Sequence, residues 1–400
     1  MNHARLTAAT ILVLLTAFVA SAQDNPNWPN GYATVSDLAR GEGGGGWPTL
    51  SLTQGQPITF PGIDAPMDKA FADDKAVVVQ VAGLESGVQY VLALTWWDAD
   101  DKGRTQSIYM GPSADSMKCV LPSTPAKAFF ADKSTWATMM LPVDSAMVND
   151  GKCLLEIRHE SGPSAVFSKI QILQRTDKTP QKRILIVTGD DYPGHRWRET
   201  APELASALRK DPRLEVSITE IPAILGSPLL RNYDAVMIHF KNYSERLPLG
   251  EPVWNGLRDY MNNGGGLLIA HFGCGAFQEW NDFVQFSGRV WNPKFRGHDP
   301  YGPFDVSIVD HDHAVTKGLP DFPTTDELYT CLDGSTPMHV LCTAVSKVDK
   351  QTYPMGFVLE PGKGRVFHCT LGHDVKALQS EGTRALYLRA AQWAVGLPAN

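Results

Sequence analysis

From Arg183 onward the chain alternates short apolar runs with stretches whose apolar residues recur at helical spacing. Arg183 to Thr188 reads as a strand, and Arg198 to Arg209 as a helix that buries Ala201, Leu204, Ala205 and Leu208. Leu214 to Thr219 and Tyr233 to Phe240 continue the strands, and Val253 to Asn262 is a helix ended by Gly264. Leu267 to His271 is almost wholly apolar, as expected of a strand covered on both faces, and Arg365 to Thr370 belongs to the same sheet. This alternation predicts an α/β unit: a parallel sheet flanked by helices, with ligands bound beyond the carboxyl ends of its strands.

A different texture precedes it. Between about Pro29 and Gln174, runs rich in Val, Tyr and Trp recur between turn signals: Ala76 to Val81, Tyr90 to Trp97, Ser107 to Met110, Thr135 to Leu141, Cys153 to Ile157 and Val166 to Leu173. Spacing of this kind predicts an antiparallel β-sandwich over residues 23–176. The polar stretch from Thr176 to Lys182, with Pro180 inside it, marks the boundary with an α/β domain over 183–398. Gly43 to Gly46 reads as a flexible loop. Leu94-Thr95-Trp96-Trp97-Asp98-Ala99-Asp100-Asp101 admits a sugar-stacking or calcium reading, but a strand that carries a core Trp into an acidic turn needs neither.

Composition narrows the class. With 400 residues, 43% of them hydrophobic and 20% charged, the chain can bury ordinary cores in two domains. A net charge of -7 and scattered Lys and Arg give no basic stripe, which excludes nucleic acid as the expected partner. Arg5, the apolar stretch Ile11 to Ala20 and the Ala20-Ser21-Ala22 pattern predict a signal peptide over residues 1–22, hence a secreted or periplasmic protein with no membrane span after cleavage. No Cys follows the cleavage point, which argues against a lipid anchor. In an oxidising compartment Cys119 with Cys153, and Cys331 with Cys342, are candidate disulfides; Cys274 and Cys369 read as buried apolar fillers.

Chemistry concentrates in the second half, where nine of the eleven His residues lie, most beside Gly or an acidic residue. Asp190, His195, His239 and His271 all sit at or just after predicted strand ends. His195 suits acid–base work or a helix cap, and His271 at a buried strand end is hard to explain as packing. His298 and His313 occur in Gly-His-Asp and Asp-His-type turns that are equally common as surface loops. Asp326 and Glu327 are adjacent and would face opposite ways in a strand, so Glu327, with Tyr329 on its side, is the one expected in a pocket. His373 follows the Arg365 strand. His239, His311, His339 and His368 read as structural or solvated. A divalent transition metal on His195, His271, His298 and His373 is a candidate cofactor, since imidazoles with a carboxylate suit zinc, iron or manganese. No short ligand spacing such as His-Glu-x-x-His supports it.

Taken in order, these pieces carry a resemblance. His195 with Trp197, Gly264-Gly265-Gly266 before Ile269-Ala270-His271, Gly297-His298, His313 before Thr316-Lys317-Gly318-Leu319, Asp326-Glu327-Leu328-Tyr329, and Gly362 to Val366 leading to Leu371-Gly372-His373 make residues 183 to about 397 resemble the trehalose utilisation protein A-like family. The resemblance implies a variant of the class I glutamine amidotransferase fold, preceded here by a galactose-binding-like sandwich. In amidotransferases the turn after the central strand carries a nucleophilic Cys; His271 takes that place, with Cys274 nearby as an alternative thiol. It further implies an enzyme acting on a carbohydrate, a glycoside or its 3-keto derivative. His271 and Glu327 would form the acid–base pair, His195 and His373 would complete the catalytic set, and Trp197, His298, His313, Tyr329 and Asp190 would bind substrate. A keto group acidifies its neighbouring C–H, so a base there starts elimination of the glycosidic oxygen. Two other readings stay open: a non-catalytic carbohydrate-binding protein, and a thiol amidotransferase or peptidase using Cys274.

Overall fold

The computed structural model describes residues 25–38, 48–65, 68–126, 137–177, 181–190, 192–243, 247 and 249–399. The predicted signal peptide and the Gly43 to Gly46 loop lie outside them. The chain forms two compact units that part between Thr179 and Pro180.

The first unit is built of antiparallel strands. One sheet of four has the order β1 (Tyr32–Asp37), β12 (Lys169–Arg175), β6 (Tyr90–Trp96), β9 (Ala137–Pro142). A second of five runs β2 (Thr49–Gln54), β5 (Ala76–Ala82), β10 (Lys152–Ser161), β7 (Thr105–Gly111), β8 (Lys118–Pro125). A third joins β11 (Ala165–Phe167), β4 (Lys69–Asp73) and β3 (Gln56–Thr59). Period-two patterning directs Val77, Val79 and Val81 of β5 and Leu155 and Ile157 of β10 into the core. Every residue of β6 is buried, and Trp96 is core rather than a sugar platform. The acidic turn after it closes on Arg104, whose guanidinium binds the carboxylates of both Asp98 and Asp100. No cation is needed to neutralise that turn.

The second unit carries one sheet of nine strands. In chain order these are β13 (Lys182–Thr188), β14 (Leu214–Thr219), β15 (Ala235–His239), β16 (Gly266–Ala270), β17 (Gly302–Ile308), β18 (Phe322–Asp326), β19 (His339–Val345), β20 (Thr352–Leu359) and β21 (Arg365–Cys369). In space the order is β14-β13-β15-β16-β21-β20-β19-β17-β18. The first five are parallel, as the alternation predicts, and the last four pair antiparallel. The sheet is therefore mixed, and the expected all-parallel sheet is corrected on that edge. The cause lies in the connections: β19 to β20 and β20 to β21 are joined by a few residues each, too few for the crossover a parallel pair requires.

The helices α1 (Trp197–Leu208), α2 (Glu251–Asn262), α3 (Asn281–Ser287), α4 (Val375–Leu378) and α5 (Glu381–Ala394) accompany this sheet. Ala201, Leu204, Ala205 and Leu208 form the buried stripe of α1, and with Leu386, Ala390 and Ala391 of α5 they share one core with Ile184 and Ile186 of β13. All six cysteines are free, against both expected disulfides. Cys119 on β8 and Cys153 on β10 are separated by β7, two strand spacings or roughly 9–10 Å, beyond the reach of an S–S bridge.

Candidate active site

At the carboxyl ends of β13, β16 and β21 the backbone departs from the sheet abruptly. His271 follows β16 with φ of +47°, a conformation rare outside glycine, and opens a short 3-10 turn, His271–Gly275. The turn lies so close to β15 that a Cβ on Gly273 would stand 2.4 Å from the Ile238 carbonyl oxygen, so only glycine fits there. Backbone strain at a strand end of this kind re-aims a side chain, here the His271 ring.

His271 is fully buried, and its Nδ1 lies 2.7 Å from the Thr370 carbonyl oxygen. That contact makes Nδ1 the donor and leaves the Nε2 lone pair facing Glu327, whose Oε2 is 3.5 Å away. His373, in the loop after β21, brings Nδ1 to 3.2 Å from the same oxygen. His195, between β13 and α1, stacks on Phe272 at 4.5 Å and puts its ring 5.1 Å from His271 and 5.0 Å from His373. His195 Nδ1, His271 Nε2 and His373 Nδ1 are all sealed from solvent; among the described residues the first has no hydrogen-bond partner, and the other two face the Glu327 carboxylate. One ligand atom from each of His195, His271, Glu327 and His373 falls within 4.8 Å of the others.

The electrostatics follow from this crowding. Burial, reinforced by the His271 ring, pushes His195 down to about 2, so it is neutral at ordinary pH. Burial would depress His373 too, but the Glu327 carboxylate outweighs it and raises the imidazole. Burial likewise opposes ionisation of Glu327, and the His271 and His373 contacts overcome it, holding the carboxyl well below its usual range. A carboxylate with imidazole nitrogens directed at one point is the donor set of a zinc, iron or manganese centre, and a buried nitrogen such as His195 Nδ1 is what an ion would satisfy.

Around this centre stand further predicted residues. His298 presents Nε2 to Glu327 Oε1 at 3.7 Å and contacts the Asp299 carbonyl through Nδ1 at 2.7 Å; its side chain is 34% exposed. It borders the four-residue group without joining it. Tyr329 places its ring 4.5 Å from His271 and 5.8 Å from His298. Asp190 is buried and accepts the Tyr243 N–H at 3.0 Å, bracing a neighbouring loop.

Two expected substrate contacts are corrected. Trp197 is 2% exposed at the start of α1, packed under the Arg198 guanidinium, and offers no face to a sugar. His313 belongs to another cluster, with Trp393 at 5.4 Å and His339 at 5.7 Å, where His339 pairs with Asp310. Its acidic flanks resemble those of His298, and sequence gives no hint of which edge each occupies. His239 lies between Thr188 and Thr200, and His368 on the Ser287 carbonyl; burial drops them to about 3 and about 4. Both are structural. Cys274 is buried, and that burial lifts its thiol to about 12, far from a nucleophilic thiolate.

Sequence reasoning passes over Asp326 in favour of Glu327 and does not single out Lys241, Tyr192 or Tyr301. Asp326 ends β18, and its carboxylate accepts the N–H groups of Gly372 and His373. Tyr192, 47% exposed, stacks on Tyr243 at 4.2 Å, and Tyr301, 41% exposed, lies 5.5 Å from His373. A groove of about 860 Å³ lined by Lys182, Arg231, Asp234 and Lys363 opens at the opposite, amino-terminal edge of the parallel strands. It holds none of the histidines. The carboxyl edge carries the chemistry.

A family model described as trehalose utilisation matches residues 183–394. Among solved structures, the chain is similar to a ThuA-like protein from Parabacteroides merdae, with TM-score 0.48 and 24% identity over 55% of this chain and 92% of that one. A ThuA-like protein from Bacteroides uniformis gives TM-score 0.43 and 19% identity over 55% and 93%. A β-galactosidase from Bacillus circulans gives TM-score 0.37 and 11% identity over 55% and 32%. No curated protein matches. Since the family match runs from β13 to the end of α5, over half of the sequence, the chain belongs to the trehalose utilisation family.

Proposed function

We propose that this protein is an exported enzyme acting on a carbohydrate, a glycoside or 3-keto-glycoside, at a divalent-metal centre held by His195, His271, His373 and Glu327. One observation carries the reading: one ligand atom from each of three imidazoles and one carboxylate converge within 4.8 Å, with the imidazole nitrogens sealed from solvent. Such an ion, when bound, supplies a Lewis acid for a sugar carbonyl or hydroxyl oxygen. Family membership supports the carbohydrate, and the apolar Ile11 to Ala20 stretch supports export.

The proton work then falls to His298 rather than to His271 and Glu327. His271 has its Nδ1 on a carbonyl and is wholly enclosed, which suits holding an ion. His298 has its Nδ1 on the Asp299 carbonyl, which leaves Nε2 as the acceptor, and its side chain is 34% exposed. Elimination from a 3-keto-glycoside needs no net proton: Nε2 takes the proton from the carbon beside the keto group and returns it to the departing glycosidic oxygen. Tyr329 closes the apolar side of the site.

The test is metal analysis of the purified protein after reconstitution with zinc, manganese or iron(II), followed by product analysis with a 3-keto-glycoside and its parent glycoside. Stoichiometric metal lost in His195→Ala and His373→Ala, together with metal-dependent turnover, is the expected result. Absence of stoichiometric metal overturns the centre, and metal with unchanged sugars would make the protein a carbohydrate binder.

A further inference from the structure

Lys241 follows β15 at the same sheet edge as His195 and His271. Its Nζ lies 4.3 Å from the centre of the Trp291 ring and 5.0 Å from that of Tyr243. Both rings border the reacting centre: Tyr243 stands 6.5 Å from His195, and Trp291 stands 5.7 Å from Tyr329 and 6.2 Å from His298. Among the described residues no carboxylate pairs with this ammonium, and no hydrogen bond from it is formed. Ring faces attract a cation and accept an N–H only weakly, so the ammonium keeps donor capacity for an anionic oxygen.

The fold makes room for this arrangement. A Cβ on Gly275 would stand 2.8 Å from the Cγ and Cδ of Lys241, so the glycine after Cys274 admits the lysine stem beneath the His271 turn. The Gly273-Cys274-Gly275 motif thus serves clearance on two sides, toward Ile238 and toward Lys241, and no thiol chemistry. A lysine used only to fill space would end in water or on a carboxylate. This one ends half-buried over two aromatic rings, one of them carrying Tyr192 on its face.

We infer that Lys241, Tyr243 and Trp291, with Tyr192 outside them, form a second subsite that takes a sugar ring bearing an anionic substituent, while the neighbouring ring occupies the histidine centre. Tyr192, 47% exposed, offers the outer aromatic surface to the ring, and the ammonium meets a carboxylate or phosphate with charge-assisted hydrogen bonds. The subsite lies about one sugar ring from the histidines, so it selects substrate by binding rather than by touching the reacting atoms. This rests on the carbohydrate reading above and adds to it that the preferred disaccharide is acidic.

Calorimetric titration of the metal-reconstituted full chain with trehalose, with trehalose carrying one carboxylate in place of a hydroxymethyl group, and with trehalose 6-phosphate tests it. Wild type should bind at least one anionic sugar about tenfold tighter than trehalose, and the tighter of the two identifies the substituent. Lys241→Met, which keeps the length of the stem, should abolish that preference, and Lys241→Arg should retain it. Equal binding of neutral and anionic sugars by wild type, or a preference that survives in Lys241→Met, overturns the acidic subsite alone. No binding of any of the three overturns the carbohydrate reading with it.

Discussion

Asp326 accepts the backbone N–H of His373 at 3.1 Å and so ties the end of β18 to the loop after β21. Its other oxygen takes the Gly372 N–H at 2.7 Å, and the carboxylate is fully enclosed. The neighbouring residue, Glu327, meets the His373 ring, so two adjacent carboxylates fix one histidine from its backbone and from its imidazole. Asp326→Asn would turn an amide N–H₂ toward backbone donors and loosen that loop. Metal affinity should fall about 10- to 100-fold with the circular dichroism spectrum unchanged. Chelator competition measures it, and wild-type affinity in the variant would remove Asp326 from the support of the site.

His298→Ala should lower kcat for a 3-keto-glycoside by about 10²- to 10⁴-fold while the metal content stays at wild-type level. The separation matters because His298 borders Glu327 without joining the four converging atoms. Loss of metal in this variant would instead make His298 a ligand, and an unchanged kcat would assign the proton transfer elsewhere.

Cys274→Ala should leave both metal content and turnover within about twofold of wild type, since a buried thiol has no thiolate to offer at neutral pH. The small side chain faces a well-packed turn, so a modest stability loss is the only expected change. Inactivation by iodoacetamide that Cys274→Ala prevents would reopen the thiol mechanism.

The parallel half of the sheet is legible because its signals are local. Ala201, Leu204, Ala205 and Leu208 state a helical period, and Leu267 to Ala270 states a strand buried on both faces. The antiparallel edge is not, because β17 pairs β19 and β18 through contacts set by distant residues. The same division runs through the site. His271 announces itself at a strand end, whereas His298 and His313 sit in similar turns and only the tertiary fold sends one to Glu327 and the other to Trp393. Lys241 carries no local mark at all; its meaning comes from Trp291, fifty residues on. Asp326 is visible in the sequence beside Glu327, but its backbone partners lie on the loop after β21, a strand that pairs with β16 and β20.

Asp211 gives the second unit an acid-sensitive clasp. The Arg213 guanidinium, and then Gln392 of α5 at 2.7 Å, hold its carboxyl at about 2 against an ordinary 3.8. A carboxyl whose folded value is depressed stabilises the fold fully above its unfolded value and loses that contribution as pH falls toward the folded one. The window here is pH 3.8 down to about 2. Asp211→Asn should therefore be less stable than wild type above pH 4, with the difference shrinking as the pH approaches 2. Urea denaturation at stepped pH reads this out, and a difference that does not vary with pH would remove the linkage.

In the acidic turn of the first unit, an ion pair to Arg104 occupies the carboxylates that a calcium ion would need. Arg104 and Asp98 have side chains 5% and 1% exposed, and Asp98 also accepts the N–H groups of Gly103 and Arg104 at 2.7 and 3.1 Å. Removing the guanidinium would strand a buried carboxylate, a change that typically costs about 3–5 kcal/mol, whereas truncating an exposed pair costs little. Arg104→Met keeps an aliphatic stem and deletes the charge, its donors and the guanidinium contact with the Phe60 ring. Its unfolding free energy, read from urea denaturation of the full chain, should drop by an amount in that range. Added calcium should leave the wild-type midpoint where it is, since the oxygens of Asp98 and Asp100 are already engaged. A calcium-dependent rise in wild type, absent from Asp100→Asn, would show that the turn binds the cation in solution and that Arg104 gives way to it.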